Sequence, residues 1–306
     1  MMGLSARLPV PNSASMRGRY SRTGWRHDGT TGFMLPPDKP SVRRSREHLN
    51  YGPNALCMAV MANLAYENKG KIERQTARWG IDRFHFFAKG GTEAFIVGDA
   101  EKVIVAFRGT EPKVLKDWRT DARFCLVKGP VGKVHRGFRT ALDGIWPDLR
   151  PKIRSFQYDK SNPETLWLTG YSLGAGLATL AYARLRFDLD KPVHGLTTFG
   201  QPRTGNGDFA DAVNRDSMAR MYSLVNNSDL VPRLPPRSLG YSHAGRLVYF
   251  TSTGRATSDM SACMRVLDRA RGRLDDFGKP GPDAIKDHDM SGHVKLVRDN
   301  MWTTLR

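Results

Sequence analysis

A pentapeptide of the pattern Gly-x-Ser-x-Gly, with Ser172 at its centre, is the segment of this sequence whose residue types and spacing could do chemistry. It follows the apolar residues 166–169, and after it leucines and alanines recur at spacings of three and four. This pattern predicts a strand, a sharp turn and an amphipathic helix. At such a turn the serine hydroxyl stands above the sheet, and the flanking glycines avoid collisions with the neighbouring strand and helix. We therefore expect Ser172 to be a nucleophile.

A nucleophilic serine needs a histidine to accept its proton, and that histidine needs a carboxylate to fix its tautomer and stabilise its charged form. With a turn of this kind the chain order is serine, then acid, then histidine. Asp229 fits the acid best, because it lies just past a predicted strand, 221–225, in a loop rich in proline and asparagine. Asp208 and Asp211 are the alternatives, but both fall at a predicted helix start, where aspartate is common as a capping residue.

Three histidines follow Asp229 in the sequence, namely His243, His288 and His293. His288 comes after a stretch rich in glycine and proline, and it is our first choice for the base. We expect the other two histidines to be structural or surface residues.

The negatively charged oxygen of a tetrahedral intermediate needs two hydrogen-bond donors that are already in place. We expect one of them to be the backbone N–H of Leu173, the residue after the nucleophile. The loop that follows the predicted strand 102–107 offers a second donor in Thr110, through both its N–H and its hydroxyl. Residues 108–110 would equally fit an ordinary turn at the end of a strand, and that alternative stays open.

Strand-like and helix-like segments alternate along the chain from about residue 54. The continuous apolar run 103–107 is typical of a strand that is covered on both faces. Alternation of this kind predicts an α/β fold with a mainly parallel central sheet and helices on its faces. The predicted strands are 84–87, 92–97, 102–107, 166–169, 193–199, 221–225 and 246–251, and the predicted helices cover 54–64, 138–149, the segment after Ser172, and 256–277.

The chain of 306 residues has a net charge of +18, from 48 Lys and Arg against 30 Asp and Glu. This excess predicts attraction to polyanions, either nucleic acid or an anionic membrane surface. A basic surface that only keeps the protein dispersed is the alternative. Residues 1–48 are basic, rich in Ser, Gly and Pro, and free of helical or strand periodicity. We therefore expect a disordered tail over 1–48 and one folded domain over 49–306.

Cysteine usage and apolar runs bear on the compartment. Cys57, Cys125 and Cys263 are too few and too scattered for a disulfide framework or a zinc site. No run approaches the roughly 18 apolar residues of a membrane span. The first ten residues are interrupted by polar residues and proline, and they lack the apolar core of a signal peptide. We therefore expect a cytoplasmic protein, or one that is exported by a non-classical route.

Taken together, six segments resemble the class 3 lipases, the α/β-hydrolase family of fungal-type triacylglycerol lipases and related phospholipases. They occur in the family's order and span much of the chain between Val105 and His243. The six segments are 105–110, 117–121, 134–138, 168–174, 198–206 and 226–243.

The resemblance implies an α/β-hydrolase fold with Ser172 as the nucleophile and Asp229 as the triad acid. It implies His288 as the triad histidine, since an Asp-His pair followed by a hydrophobic helix is usual in the family. Thr110 and Leu173 would be the oxyanion donors.

The segment around Asp117 and Trp118 matches the family's lid, a short amphipathic element that moves aside at a lipid surface. Three positions depart from the family pattern. Tyr171 replaces the histidine that usually precedes the nucleophile, Ala175 interrupts a common Gly-Gly pair, and His293 stands where an aromatic residue is usual.

The leading hypothesis is a serine carboxyl-ester hydrolase that cleaves acylglycerols or phospholipids through an acyl-enzyme, with no metal or cofactor. Its partners would be a lipid or ester substrate and an anionic membrane surface; no specific nucleic acid is predicted, and the oligomeric state is left open. One alternative is a catalytically inactive lipase-like protein that binds anionic membranes or nucleic acid through its basic surface. Another is a short-chain esterase or acyltransferase on the same fold.

Overall fold

The computed structural model describes residues 26–27, 34–35, 51–109, 124–157, 165–217, 220–227, 229–251, 254–258 and 288–300. The chain divides into two compact units, which comprise residues 1–40 and residues 41–306. In the first unit, the described strands β1 (Arg26–His27) and β2 (Met34–Leu35) pair antiparallel. The predicted disorder of residues 1–48 and the boundary at residue 48 concern residues that lie almost wholly outside the described ranges, and they stay predictions.

The second unit alternates helices and strands. In chain order its elements are α1 (Tyr51–Leu64), α2 (Lys69–Arg78), β3 (Arg83–Lys89), β4 (Thr92–Gly98), β5 (Lys102–Phe107), β6 (Leu126–Lys128), β7 (Lys133–His135), α3 (Arg136–Phe156), β8 (Thr165–Tyr171), α4 (Leu173–Ala183), β9 (Gly195–Phe199), β10 (Gly205–Asn206), α5 (Gly207–Ser217), β11 (Met221–Asn226), β12 (Tyr241–Ser242), β13 (Arg246–Phe250), β14 (Ala256–Thr257) and α6 (Met290–Asn300).

Eight strands form the main sheet, in the order β14-β13-β11-β9-β8-β5-β4-β3. The five central strands β5, β8, β9, β11 and β13 run parallel, whereas β3 and β4 at one edge and β14 at the other run antiparallel to their neighbours. Every residue of β5 and β8 is buried, as expected of strands covered on both faces. The prediction of an α/β fold with a mainly parallel sheet is confirmed. A smaller antiparallel sheet has the order β12-β10-β7-β6.

Helices cover both faces of the main sheet. The helices α3 and α4 contact one face, and their apolar residues form the main core with the sheet. The helices α1 and α6 contact each other, and α1 lies against β8 and β9 on the other face, where Thr169 Oγ1 donates to the Met58 carbonyl at 3.1 Å. Within the described ranges, no helix has the length and apolar character that crossing a bilayer requires.

Two features of the chain differ from the sequence-based expectations. The helix α2 was not predicted, because Ile72 is its sole buried apolar residue and the apolar periodicity is therefore almost absent. Its start is fixed locally instead, since the Asn68 side chain accepts the Lys71 N–H at 3.0 Å. The helix predicted over 256–277 does not begin where expected, because Ala256–Thr257 pair with β13 as strand β14. Residues 259–277 lie outside the described part of the chain.

Candidate active site

Ser172 occupies the turn between β8 and α4. Its backbone has φ +57° and ψ −127°, a conformation that is strained for a residue with a side chain. The flanking glycines permit the turn: a Cβ at Gly170 would overlap with the backbone of Gly174, and one at Gly174 would overlap with the Phe107 carbonyl. The Ser172 N–H also donates to the Phe199 carbonyl at 2.9 Å. The strand end and the helix start are thus in close backbone contact, with Ser172 at the carboxyl edge of the sheet.

The structure brings Ser172, His288 and Asp229 together in one chain of hydrogen bonds. Nε2 of His288 lies 2.9 Å from Ser172 Oγ, and Nδ1 lies 2.9 Å from Asp229 Oδ2. A carboxylate accepts, so Nδ1 carries the proton and Nε2 is free to accept the serine hydroxyl proton. All three residues are buried, with exposed fractions of 0%, 6% and 1%.

The loop after β11 presents the Asp229 carboxylate. The turn passes through Asn227, whose φ is +27°, and the Asp229 N–H donates to the Asn226 carbonyl at 2.9 Å. Asp229 Oδ1 accepts the Val231 N–H at 2.9 Å, which leaves Oδ2 directed at His288. Both carboxylate oxygens are therefore used, one for holding the side chain and one for holding the imidazole.

Gly200, the residue after β9, lies directly against the His288–Asp229 contact. Its φ is +53°, and a Cβ at this position would lie 2.9 Å from Asp229 Oδ2 and 3.0 Å from His288 Cε1. A side chain here would therefore displace the histidine or the acid. Gly200 was not among the predicted site residues. Its place directly after a buried parallel strand, beside the Gln-Pro pair, is the signal in the sequence that could have identified it.

The expected oxyanion donors are described only in part. Leu173 is the first residue of α4, where backbone N–H groups have no partner within the helix and the helix dipole favours negative charge. Thr110 lies outside the described residues, as do Asp117 and Trp118 of the predicted lid. The residue before Thr110 is described: a Cβ at Gly109 would overlap with the Tyr171 carbonyl and lie 3.2 Å from Ser172 Cβ. The loop after β5 therefore begins beside the nucleophile.

The other two candidate histidines have structural surroundings. His243 Nε2 contacts the Pro232 carbonyl, and burial lowers the pKa of His243 to about 3. His293 is fully buried, its Nδ1–H donates to the Asp289 carbonyl at 2.8 Å, and burial lowers its pKa. Both imidazoles are therefore neutral near pH 7.

The alternative acids lie elsewhere in the fold. Asp208 and Asp211 are on α5, where Asp208 Oδ2 accepts from Asn206 Nδ2 at 2.9 Å. The carboxylate that contacts His288 is that of Asp229. Within the described ranges, no group of three or more His, Cys, Asp or Glu side chains is arranged to hold a metal ion.

Residues 104–239 match the family model described as Lipase (class 3). The matched segment contains Ser172 and Asp229 and ends before His288. It also contains most of the segments on which the resemblance rested.

Curated relatives of this chain include lipases from fungi and plants. A secreted mono- and diacylglycerol lipase of Malassezia restricta is 35% identical over 150 residues, which are 46% of this chain and 49% of that protein. A triacylglycerol lipase of Arabidopsis thaliana is 28% identical over an alignment that covers 87% of this chain and 59% of that protein. The chain thus spans about half the length of the curated relatives it matches.

Solved lipase structures share the fold. The triacylglyceride lipase of Rhizomucor miehei is 26% identical, with a TM-score of 0.52 over 68% of this chain and 79% of that one. A triacylglycerol lipase whose catalytic centre is formed by a serine protease triad is also 26% identical, with a TM-score of 0.51 over the same shares.

The expectation of a cytoplasmic protein, or of non-classical export, is wrong. It rested on the missing apolar core in the first ten residues. The Malassezia relatives are named secreted lipases, which contradicts it. The composition of those ten residues therefore carries no conclusion about export.

The matched segment, the named relatives and the shared fold agree with one another. The sequence resemblance to one family is confirmed by all three. Over residues 104–239 this chain resembles the class 3 lipases, and it has the α/β-hydrolase fold of the fungal lipase structures.

Proposed function

We propose that this protein is a serine carboxyl-ester hydrolase of lipase type, with Ser172, His288 and Asp229 as its catalytic triad. One observation carries the proposal: the buried chain of two 2.9 Å hydrogen bonds that links the Ser172 hydroxyl through His288 to Asp229. The solved relative with a serine protease triad supports the same assignment by analogy.

Acylation would begin with attack of Ser172 Oγ on the ester carbonyl carbon, while His288 Nε2 takes the hydroxyl proton. The imidazolium that forms is stabilised by the Asp229 carboxylate on Nδ1. Collapse of the tetrahedral intermediate breaks the carbonyl–alkoxy bond, and His288 returns the proton to the leaving alcohol. Water then attacks the acyl-enzyme with His288 again as base, which releases the fatty acid and restores the serine.

The negative oxygen of each tetrahedral intermediate would be held by the Leu173 N–H at the start of α4 and by Thr110. Loss of one such donor typically lowers kcat by about 10²- to 10³-fold. Thr110→Ala removes the hydroxyl and keeps the backbone N–H. The variant therefore distinguishes the hydroxyl of Thr110 from its backbone N–H. An unchanged kcat would show that the hydroxyl is not an oxyanion donor.

The substrate class that the relatives' names support is acylglycerol: one is named a mono- and diacylglycerol lipase and another a triacylglycerol lipase.

The full burial of Ser172 means that a substrate must displace the residues covering it. This supports the proposal that the segment around Asp117 and Trp118 acts as a lid. Activity that rises sharply when the substrate exceeds its solubility would support a lid, and a smooth saturation curve across that limit would count against it. The secreted relatives support export of this protein as well.

The net charge of +18 supports a finer proposal, action at anionic lipid surfaces, including phospholipids. Each Lys or Arg near such a surface contributes about 1 kcal/mol, and salt screens that attraction. Hydrolysis of anionic vesicles should therefore fall steeply between low and high salt. Activity on neutral emulsions alone, independent of salt, would contradict this part.

The decisive test is covalent labelling by a fluorophosphonate probe together with hydrolysis of esters of increasing chain length. We expect Ser172→Ala to abolish labelling and to lower kcat by at least about 10⁴-fold. Ser223→Ala is the matched control, because Ser223 is a buried serine of β11, 2% exposed and outside the triad. Asp211→Asn should likewise keep full activity.

An unlabelled wild-type protein would contradict the proposal and favour the inactive lipid-binding alternative. A preference for short, soluble esters over acylglycerols would instead favour the short-chain esterase.

A further inference from the structure

The Tyr171 ring lies flat on the imidazole of His288. Their ring centroids are 4.6 Å apart and the planes differ by 29°. Tyr171 is the last residue of β8, directly before Ser172, and it is 4% exposed. The stacked ring is therefore attached to the same rigid strand end as the nucleophile.

The hydrogen bonds of His288 leave one motion of its ring unrestrained. The bonds to Ser172 and Asp229 hold the two nitrogens in the plane of the imidazole, but they oppose tilting about the line that joins these two contacts only weakly. A flat aromatic surface against the imidazole restricts that tilt. The negative face of the tyrosine ring also attracts the positive charge that His288 gains during the reaction.

His293 lies behind Tyr171, with ring centroids 5.8 Å apart. Because its Nδ1–H donates to the Asp289 carbonyl, the neutral ring offers Nε2 as an acceptor. Tyr171 Oη is a donor. Both atoms are buried, and neither has a hydrogen-bond partner within the described part of the chain. A buried donor and a buried acceptor without partners each carry an energetic cost, and a hydrogen-bonded link between them would remove it.

We propose that Tyr171 and His293 are positioning residues for His288: the tyrosine ring holds the imidazole by stacking, and one water molecule bridges its hydroxyl to His293 Nε2. The inference rests on the proposed function, because it concerns the orientation of the triad histidine. It also concerns two of the positions at which this chain departs from the family pattern.

The charged and titratable groups near His288 come from several elements. They are Asp229 after β11, Asp289 and His293 on the C-terminal segment, Tyr171 at the end of β8, and Tyr66 after α1, whose ring centroid is 5.8 Å from that of Tyr171. The test must therefore remove the ring face without changing these charges. Tyr171→Leu and Tyr171→Phe both leave the charges unchanged, and only the first removes the aromatic face.

The first readout is the titration of His288 followed by NMR, with its signal assigned from His288→Asn. In Tyr171→Leu we expect the NMR titration curve of His288 and the acidic limb of kcat/KM both to move to lower pH, because the imidazolium loses the ring face. Tyr171→Phe keeps the face and should titrate like the wild type.

The second readout is a double-mutant cycle on kcat. Tyr171→Phe and His293→Phe should each lower kcat by roughly three- to tenfold. The double variant should lose no more kcat than the single variant with the larger loss, because both substitutions break the same contact. Tyr241→Phe is the matched control: Tyr241 is 1% exposed and its hydroxyl also has no partner within the described residues. This control should keep wild-type kcat.

Wild-type titration of His288 in the Tyr171→Leu variant would overturn the stacking role, and additive losses in the cycle would overturn the hydroxyl contact. If Tyr171→Leu does not fold, Tyr171→Met replaces it in the stacking test, since methionine fills the core without an aromatic face. The cycle tests the hydroxyl contact in either case, because both phenylalanine variants keep an aromatic ring. The NMR titration does not need activity. A wild-type protein without probe labelling therefore refutes the hydrolase, while the His288 titration still decides whether Tyr171 holds the imidazole.

Discussion

Replacing Gly200 by alanine is the smallest change that should disturb the triad without altering any of its side chains. The added Cβ would lie 2.9 Å from Asp229 Oδ2, 3.0 Å from His288 Cε1 and 3.1 Å from His288 Nδ1. Ordinary contacts of a Cβ begin at 3.4 Å, so the pair must retreat by 0.3 to 0.5 Å. That movement acts directly on the 2.9 Å bond that orients the base.

Two separate effects follow from the Gly200→Ala change. Alanine at φ +53° is strained, which should lower the free energy of unfolding by about 1–2 kcal/mol. A misplacement of about 1 Å can cost about 10²-fold in rate, so a shift of half that size should lower kcat by about tenfold. KM should change little, because substrate binding does not use the His288–Asp229 contact.

Gly90→Ala is the matched control for this experiment. Gly90 has φ +58° in the turn between β3 and β4, and a Cβ there meets no atom within 4 Å. Both variants should therefore lose similar stability in thermal unfolding, and only Gly200→Ala should lose kcat in ester hydrolysis. Wild-type kcat in Gly200→Ala, or an equal loss in Gly90→Ala, would refute the reasoning.

Two further predictions concern stability. Burial lowers the pKa of His135 from 6.5 to about 4, so the unfolded chain binds the proton first and stability is lost as the pH falls through this window. His135→Asn should reduce that loss by about 3 kcal/mol in denaturant unfolding at pH 4 against pH 7, and an unchanged pH dependence would contradict it. Thr169→Val removes the donor that bonds the Met58 carbonyl at 3.1 Å and the Thr197 carbonyl at 2.9 Å. The free energy of unfolding should fall by about 1–3 kcal/mol while kcat stays at the wild-type level; a loss of kcat alone would show that the bond serves the site instead.

The parts of the fold that the sequence predicted are those with strong periodicity or continuous apolar runs. The strands β5 and β8 and the helix α4 are buried almost throughout, and composition alone identifies such segments. The strands β6, β7, β10 and β12 are two or three residues long, which is too short for any alternation to be read. Strand β14 forms because β13 offers it an edge, and that partner is not visible in the local sequence.

The candidate site divides in the same way. Ser172 follows from a local pattern, and Asp229 follows from its position after a strand. Gly200 and Tyr171 were not recognised as site residues, because their importance comes from the approach of His288, a residue more than 80 positions away in the chain. Contacts of this kind depend on how the C-terminal segment folds back, which neither propensity nor spacing encodes.

Because α6 packs against α1, catalysis requires that the first and last described helices of the second unit stay in contact. His288 stands two residues before α6, and Asn300 near the other end of that helix bonds both the Ala256 N–H at 3.0 Å and the Gly254 carbonyl at 2.7 Å. Release of α6 would carry the imidazole away while leaving the serine corner and its sheet intact. Proteolytic cleavage or a destabilising mutation at the α1–α6 contact should therefore abolish ester hydrolysis under conditions in which the central strands are still folded.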